Sequence, residues 1–383
     1  MVTHQSASQG SHSSTEPVSG RPAQASHALH DTWSYRLEHL GRMTTPIGIF
    51  EHASGIVPRI DHGYCTDDNA RLLLIASREP DEGLARRLSR IALSFVLDAQ
   101  SDAGLVRNRF RLDGTWRWID QPECTDWWGR AVWGLGSASA WHPDPWVRQR
   151  ARWGFDRSAR HRSAYPHAMA FAALGAADVA ISNPAHADAR QLLADAAEQL
   201  TAWLSPAWPW PIPRLTYGSA SLAEAVIAAG MALEDQGMAI RGLQMLSWLL
   251  EDQIRDGRLS VVGVGGRGPG ESGPQFDQQP IEVAAIADAC WRAWMHTGDR
   301  SWTEGIGLAA DWFMGRNDSS VVMMDPKSGG SYDGLKADGR NPNQGAESTL
   351  ALISTMQRAR SLLPQPSLQA THEPVRLQRQ EVA

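Results

Sequence analysis

CTDDNAR, Cys65–Arg71, returns further along the chain as CTDWWGR, Cys124–Arg130. Each copy pairs a Thr with an Asp, types that cap the first turn of a helix and suit the positive end of its dipole. Each then runs into a stretch of Ala, Gly, Leu and Ile. Two copies of one helix entry mark equivalent positions in successive structural repeats, with Thr66 and Thr125 as the expected N-caps. Arg71 and Arg130 then fall one turn further on, below Asp67 and Asp126 on the same face.

Outward from these copies the apolar spacing is helical almost throughout. Caps and Gly/Pro punctuation predict helices over 27–40, 67–77, 82–100, 126–138, 145–158 and 166–180. Six more are expected over 184–203, 221–233, 237–253, 280–296, 302–315 and 343–361. Even members such as AEAVIAAGMAL and IEVAAIADAC are apolar nearly all round, whereas odd members such as EGLARRLSRIALSFVLDAQ keep a charged stripe. The first kind belongs inside and the second on an outer ring. About twelve helices in six inner/outer hairpins describe an all-α (α/α)6 toroid over 27–363, flanked by an expected disordered leader, 1–26, and tail, 364–383. In that toroid the inner helices run the same way, so their N-termini gather at one end and line one cavity. Five of the six entry segments carry carboxylates.

Composition narrows the function classes. The 383 residues are 42% hydrophobic, enough for a substantial core, and the net charge of −6 comes without a basic cluster, which argues against nucleic acid. No run approaches the about eighteen apolar residues of a membrane span. The leader lacks the apolar core of a signal peptide, so a cytoplasmic protein is expected. Three cysteines without C-x-x-C spacing give neither a disulfide framework nor a zinc site, and scattered histidines give no metal spacing. No metal and no cofactor are expected.

Carboxylates converging on a wide cavity suit glycoside chemistry, in which one carboxylic acid protonates the leaving oxygen and a second carboxylate activates water or attacks the sugar. Asp68, Asp277 and Glu282 are the expected catalytic candidates, with Asp67, Asp126 and Glu347 holding the sugar or tuning them. Among 17 Trp residues, Trp127, Trp128 and Trp116 offer flat faces for a sugar; helix packing is the alternative use of the same rings. Gln278, Gln279, Asn343 and Gln344, with Arg71 and Arg130, offer directional hydrogen bonds to hydroxyls. Glu224 fits a capping box from Ser221. GVGGRG, Gly263–Gly268, matches a dinucleotide pattern in letters only, since Pro269 follows where a helix must begin. A mobile loop over 256–276, closing over the cavity mouth, is expected instead.

HGYCTDDNARLLL, DWWGRAVWGLG, FDQQPIEVAAIADAC, WFMGRND, YDGL and NQGAESTLAL together resemble a group of bacterial proteins with the six-hairpin glycosidase-like fold, often labelled glycosyltransferases or glycosidase-like proteins. The resemblance runs from Tyr35 to Leu363 and departs from the group around RSAYPHAMA and WPIPRLTYGSASLAEA. It implies a carbohydrate ligand and an association with sugar enzymes. Three functions follow as expectations: a glycoside hydrolase acting on an oligosaccharide; a sugar epimerase or isomerase with His62 and His167 as proton carriers; and a glycan-binding module working beside a glycosyltransferase.

Overall fold

The computed structural model describes residues 33–80, 82–203 and 205–363. The expected leader and tail, and the start of the helix expected from His27, lie outside these residues. Twelve helices follow one another: α1 (Glu38–Met43), α2 (Thr66–Ala76), α3 (Gly83–Ala99), α4 (Asp126–Trp141), α5 (Pro145–Ser158), α6 (Pro166–Ser182), α7 (Ala187–Leu200), α8 (Ala220–Leu233), α9 (Gln236–Gln253), α10 (Pro280–Thr297), α11 (Ser301–Phe313) and α12 (Ala346–Ser361). The even helices form a ring in which each packs on the next and α12 returns onto α2; the odd helices pack outside it. This is the (α/α)6 toroid.

Burial follows the two sequence patterns. From His167 to Ala180 every residue of α6 is buried, whereas α3 buries Ala85, Leu88, Ala92, Leu93 and Val96 at helical spacing and leaves its other face in water. Local chemistry sets the ends. Asp144 caps α5 by accepting from the Trp146 amide at 2.9 Å ahead of Pro145, and Asp235 caps α9 through the Met238 amide at 3.0 Å. Gly298, at φ +69°, ends α10 in the left-handed conformation.

Helices α4 and α6 approach backbone to backbone. A Cβ at Gly136 would stand 2.4 Å from the Gly175 carbonyl oxygen, and one at Gly129 2.3 Å from that of Ala168. Alanine has the better helix propensity by ~1 kcal/mol, but a backbone carbonyl has no rotamer by which to yield, and overpacking costs ~1–3 kcal/mol. Gly136→Ala is therefore expected to destabilise the fold by about 1–2 kcal/mol in urea unfolding; an unchanged midpoint would contradict this close crossing.

The strands lacked a legible period because most are two or three residues long. Four small antiparallel sheets decorate the ring: β1 (Ala53–Ser54) with β2 (Val57–Pro58); β3 (Tyr64–Cys65), β4 (Arg109–Asp113) and β5 (Thr115–Trp118); β6 (Ile254–Arg255) with β7 (Arg258–Leu259); and β8 (Gly334–Lys336) with β9 (Gly339–Asn341). The Tyr64↔Phe110 and Cys65↔Arg109 pairing sets the point at which the chain enters α2. No helix of the described residues is long and apolar enough to cross a membrane.

Candidate functional site

The first copy of the repeat is capped one residue earlier than expected. Cys65 is the N-cap of α2; its Sγ accepts from the Asp68 amide at 3.4 Å and donates to Asp68 Oδ2 at 3.1 Å. Thr66 instead donates its hydroxyl to the Arg107 carbonyl at 2.6 Å, because the pairing of β3 with β4 brings the segment just before β4 alongside. Thr125 does occupy the N-cap of α4, but its hydroxyl makes no capping bond.

Arg71 gathers three carboxylates. Its Nη2 lies 2.9 Å from Asp67 Oδ2, and its Nη1 lies 3.1 Å from Asp68 Oδ1 and 2.9 Å from Glu347 Oε2. Residues at the starts of α2 and α12 thus meet, as a ring of parallel inner helices requires. Asp67 also stands 3.4 Å from Arg130 Nε, an ion pair out of line for a hydrogen bond. Burial pushes the Asp68 carboxyl up to about 8; Arg71 opposes the shift, and the charges of Asp67, Glu347 and Glu51 add to it. Arg130 lies 3.5 Å over the Phe171 ring, and burial with the neighbouring Arg71 charge brings it down to about 10.

Asp67, Asp68 and Glu347 form one wall of an open cavity of about 410 Å³, whereas the expected sugar-binding residues Arg71 and Arg130 line a smaller void instead. Six carboxylates line it: Glu51, Asp67, Asp68, Asp277, Asp333 and Glu347. Between them stand the amides of Asn108, Gln279, Asn341 and Asn343. Asn343 Oδ1 accepts from the Gly55 amide at 3.0 Å, which turns its NH2 group away from that bond. Among the described residues no group of three or more His, Cys, Asp or Glu side chains is arranged to hold a metal ion.

Several expected site residues lie elsewhere. Glu282 is 2% exposed and does not line the cavity; its Oε2 accepts from the Ser219 amide at 3.3 Å, and burial pushes its carboxyl up to about 8. Asp126 accepts a hydrogen bond from the Tyr217 hydroxyl, also away from the cavity lining. Trp128 is fully buried with its Nε1 on the Ser158 carbonyl; Trp127 donates to the Val106 carbonyl at 2.7 Å; Trp116 in β5 stacks on Phe110. The expected indole wall is thus replaced by carboxylates and amides, because these rings are drawn into helix and hairpin packing. Gln278 bonds Asp318 at 2.7 Å and Trp312 at 3.2 Å, and Gln344 bonds Asp325 at 2.9 Å and Ser328 at 2.5 Å, so both amides are used inside the fold.

The histidine pair is not brought together. His62 sits at the surface with its Nδ1 3.0 Å from that of His52, which does line the cavity. His167 is buried and stacked at 4.4 Å on Tyr217, and burial, with the Arg130 charge, brings its imidazole down to about 4. Glu224 forms no capping box: it lies in the core, accepting from Arg292 Nε at 2.9 Å. The glycine-rich loop is tied at both ends, by bridges from Gly263 to Gln278 and from Arg267 to Leu215 and by the buried Arg267–Asp252 ion pair at 2.5 Å. Val264 at its tip does reach the cavity mouth.

Glu51, His52, Asn108, Arg109, Asp333 and Asn341 line the cavity without having been expected. They come from hairpins and loops rather than helix entries. Asp333 is the Asp of YDGL; its Oδ1 accepts from the Gly345 amide at 2.7 Å and from Ser348 Oγ at 2.5 Å, tying the hairpin to the start of α12.

No family model matches the chain, and no curated protein matches it in sequence. Solved structures match it in shape. A cellobiose 2-epimerase from Bacillus thermoamylovorans is similar with a TM-score of 0.66 at 10% identity, over 88% of this chain and 99% of its own. A D-mannose isomerase gives 0.64 at 12% identity over 90% and 99%. An α-mannanase from Bacteroides thetaiotaomicron gives 0.55 at 11% identity over 87% and 95%. The chain shares the glycosidase-like toroid with proteins named for three different reactions, so shape alone does not choose among them.

Proposed function

We propose that this chain is a carbohydrate-active enzyme that hydrolyses a glycosidic bond of an oligosaccharide bound in the carboxylate-lined cavity, with Asp68 as the general acid. One observation carries the reading. Asp68 faces a polar cavity yet is buried enough to keep its proton to about pH 8, while five further carboxylates surround the same space. Glycoside hydrolysis needs one carboxyl that still holds a proton beside another that does not.

Asp277, half-buried in the cavity wall, takes the role of the second carboxylate, accepting a proton from the attacking water or attacking the sugar itself. Asp67 and Glu347, fixed by Arg71, accept hydrogen bonds from sugar hydroxyls. Gln279 and Asn343 bind hydroxyls through their amides. Gln279→Ala is expected to raise KM about tenfold with little change in kcat, the mark of binding made equally in ground and transition states. Trp128→Ala is expected to lower stability instead, because its ring touches only the core.

A second reading rests on the imidazoles. His52 at the cavity wall and His62 behind it form a pair that could carry protons to and from the carbon next to the anomeric centre, as an epimerase or isomerase requires. Proton NMR in D2O with gluco-, manno- and galacto-oligosaccharides separates the cases. Hydrolysis predicts the reducing-end anomeric signals of shorter sugars, growing with time while C2 keeps its proton. Deuterium entering C2 of an uncleaved sugar, with the signals of its 2-epimer or of a ketose, would overturn it in favour of the imidazole pair. Line broadening of one sugar with neither change would favour a binding module working beside a glycosyltransferase.

A further inference from the structure

The toroid is open at its other end as well. There the last turns of all six inner helices surround a cavity of about 430 Å³, to which Leu74, Trp141, Ile181, Met231, Met295 and Arg358 contribute one per helix. A small void on the ring axis separates it from the carboxylate-lined cavity, sharing Glu347 with that cavity and Leu74 and Trp133 with this one. The two large cavities are chemically unlike. The first presents carboxylates and amides, and the second presents indoles and thioethers around a charged floor.

That floor is partly satisfied from within. Asp288 accepts from Arg78 Nη2 at 3.1 Å, Arg358 Nε at 2.5 Å and Ser354 Oγ at 2.8 Å. Arg292 gives its Nε to Glu224 and holds its Nη2 3.8 Å from Asp178. What remains are the outer edges of two guanidinium groups: Nη1 and Nη2 of Arg358 and Nη1 of Arg292 donate to no group among the described residues. Both side chains line the cavity, with only 12% and 7% of their surface exposed. Arg358 lies 3.7 Å over the Trp291 ring, so its free fork stands beside an indole face. Arginines near helix C-termini offset the negative end of the dipole, and that task uses charge alone. It does not call for a concave, indole-walled approach to unused donors. A planar fork with two free N–H groups is the geometry that receives a carboxylate in bidentate fashion.

We propose that this cavity is a second ligand site, distinct from the carboxylate-lined one, that binds a small flat organic carboxylate. Its head sits on the free edges of Arg358 and Arg292, and its apolar body lies between Trp141, Trp133 and Trp291. Calorimetric titration of the full chain with 2-naphthoate, and with the uncharged 2-naphthalenemethanol, tests it. Naphthoate should bind one to one and about tenfold more tightly than the alcohol, the worth of a charge-assisted pair. Arg358→Gln should remove most of that difference. Trp141→Ala, which alters a half-exposed rim residue and leaves the core in place, should weaken both probes about fivefold. Oligosaccharide should displace neither. Absence of saturable naphthoate binding, equal affinity for the two probes, or affinity unchanged in Trp141→Ala would each overturn the site. Trp141→Ala keeps the test decisive if Arg358→Gln unfolds the ring.

Discussion

Replacing Asp68 with Asn is expected to lower kcat by about 10³-fold, the usual contribution of a positioned general acid, while leaving a folded protein that still binds the sugar. The isosteric amide can accept from Arg71 and stay beside Cys65, but it has no proton to give. In the unmodified chain activity should decline as pH rises through about 8, where Asp68 loses its proton; the variant's residual activity should lack that limb. The same shift acts on stability. A carboxyl whose folded-state value lies above its ordinary one binds a proton in the native chain that the unfolded chain has released. Its stabilising contribution is therefore complete below about pH 4 and is lost as pH climbs through about 8. Asp68→Asn removes that loss, so at pH 9 the inactive variant should unfold at a higher urea concentration than the active protein. Glu282, also raised to about 8, keeps part of the alkaline destabilisation in both. A variant that retained a substantial fraction of activity, or an unmodified chain with no alkaline limb near 8, would remove Asp68 from the chemistry.

The second large effect lies in the core. Glu224 and Arg292, with side chains 1% and 7% exposed, join α8 to α10 through a 2.9 Å bond, and Glu224 Oε2 has no other partner. Arg292→Met would leave a buried carboxyl without its cation, and breaking such a pair costs ~3–5 kcal/mol. Changing both residues, Glu224→Gln with Arg292→Met, removes the uncompensated charge and should recover most of the loss, because a buried ion pair is worth little more than the neutral groups that replace it. Guanidinium unfolding of the two single variants and the double variant measures this directly. Equal stability of Arg292→Met and the parent would mean that Glu224 is already neutral or reaches water.

Much of this molecule could be read before its coordinates were known. Eleven of the helices begin and end within a few residues of where periodicity, Pro and Gly placed them, because those signals act within one or two turns. The closed ring also followed, since helices apolar on every side have to be enclosed. The entry segments came to one end for the same reason: Arg71 of α2 meets Glu347 of α12. The failures share a cause. Thr66 lost its capping role to Cys65 because the segment just before β4 offered its hydroxyl a carbonyl. Glu224 reads as a capping residue until Arg292 arrives from another helix.

Adjacent residues show where the division falls. Gln278 and Gln279 are indistinguishable as letters, yet the first is held by Asp318 and Trp312 inside the fold and the second faces the cavity. Asp67 and Asp68 stand side by side at the start of α2, yet Asp67 is half-buried while Asp68 is deeply buried, which pushes the Asp68 carboxyl up to about 8. The order of the helices, their inner or outer place and the gathering of acids at one rim are consequences of local pattern, carried by neighbours three or four residues apart. Which acid is protonated, which amides remain free for a ligand and which indoles are taken into packing depend on desolvation and on partners brought from distant parts of the chain. Those forces act over a few ångströms of space, and only the closed ring sets which groups lie that near.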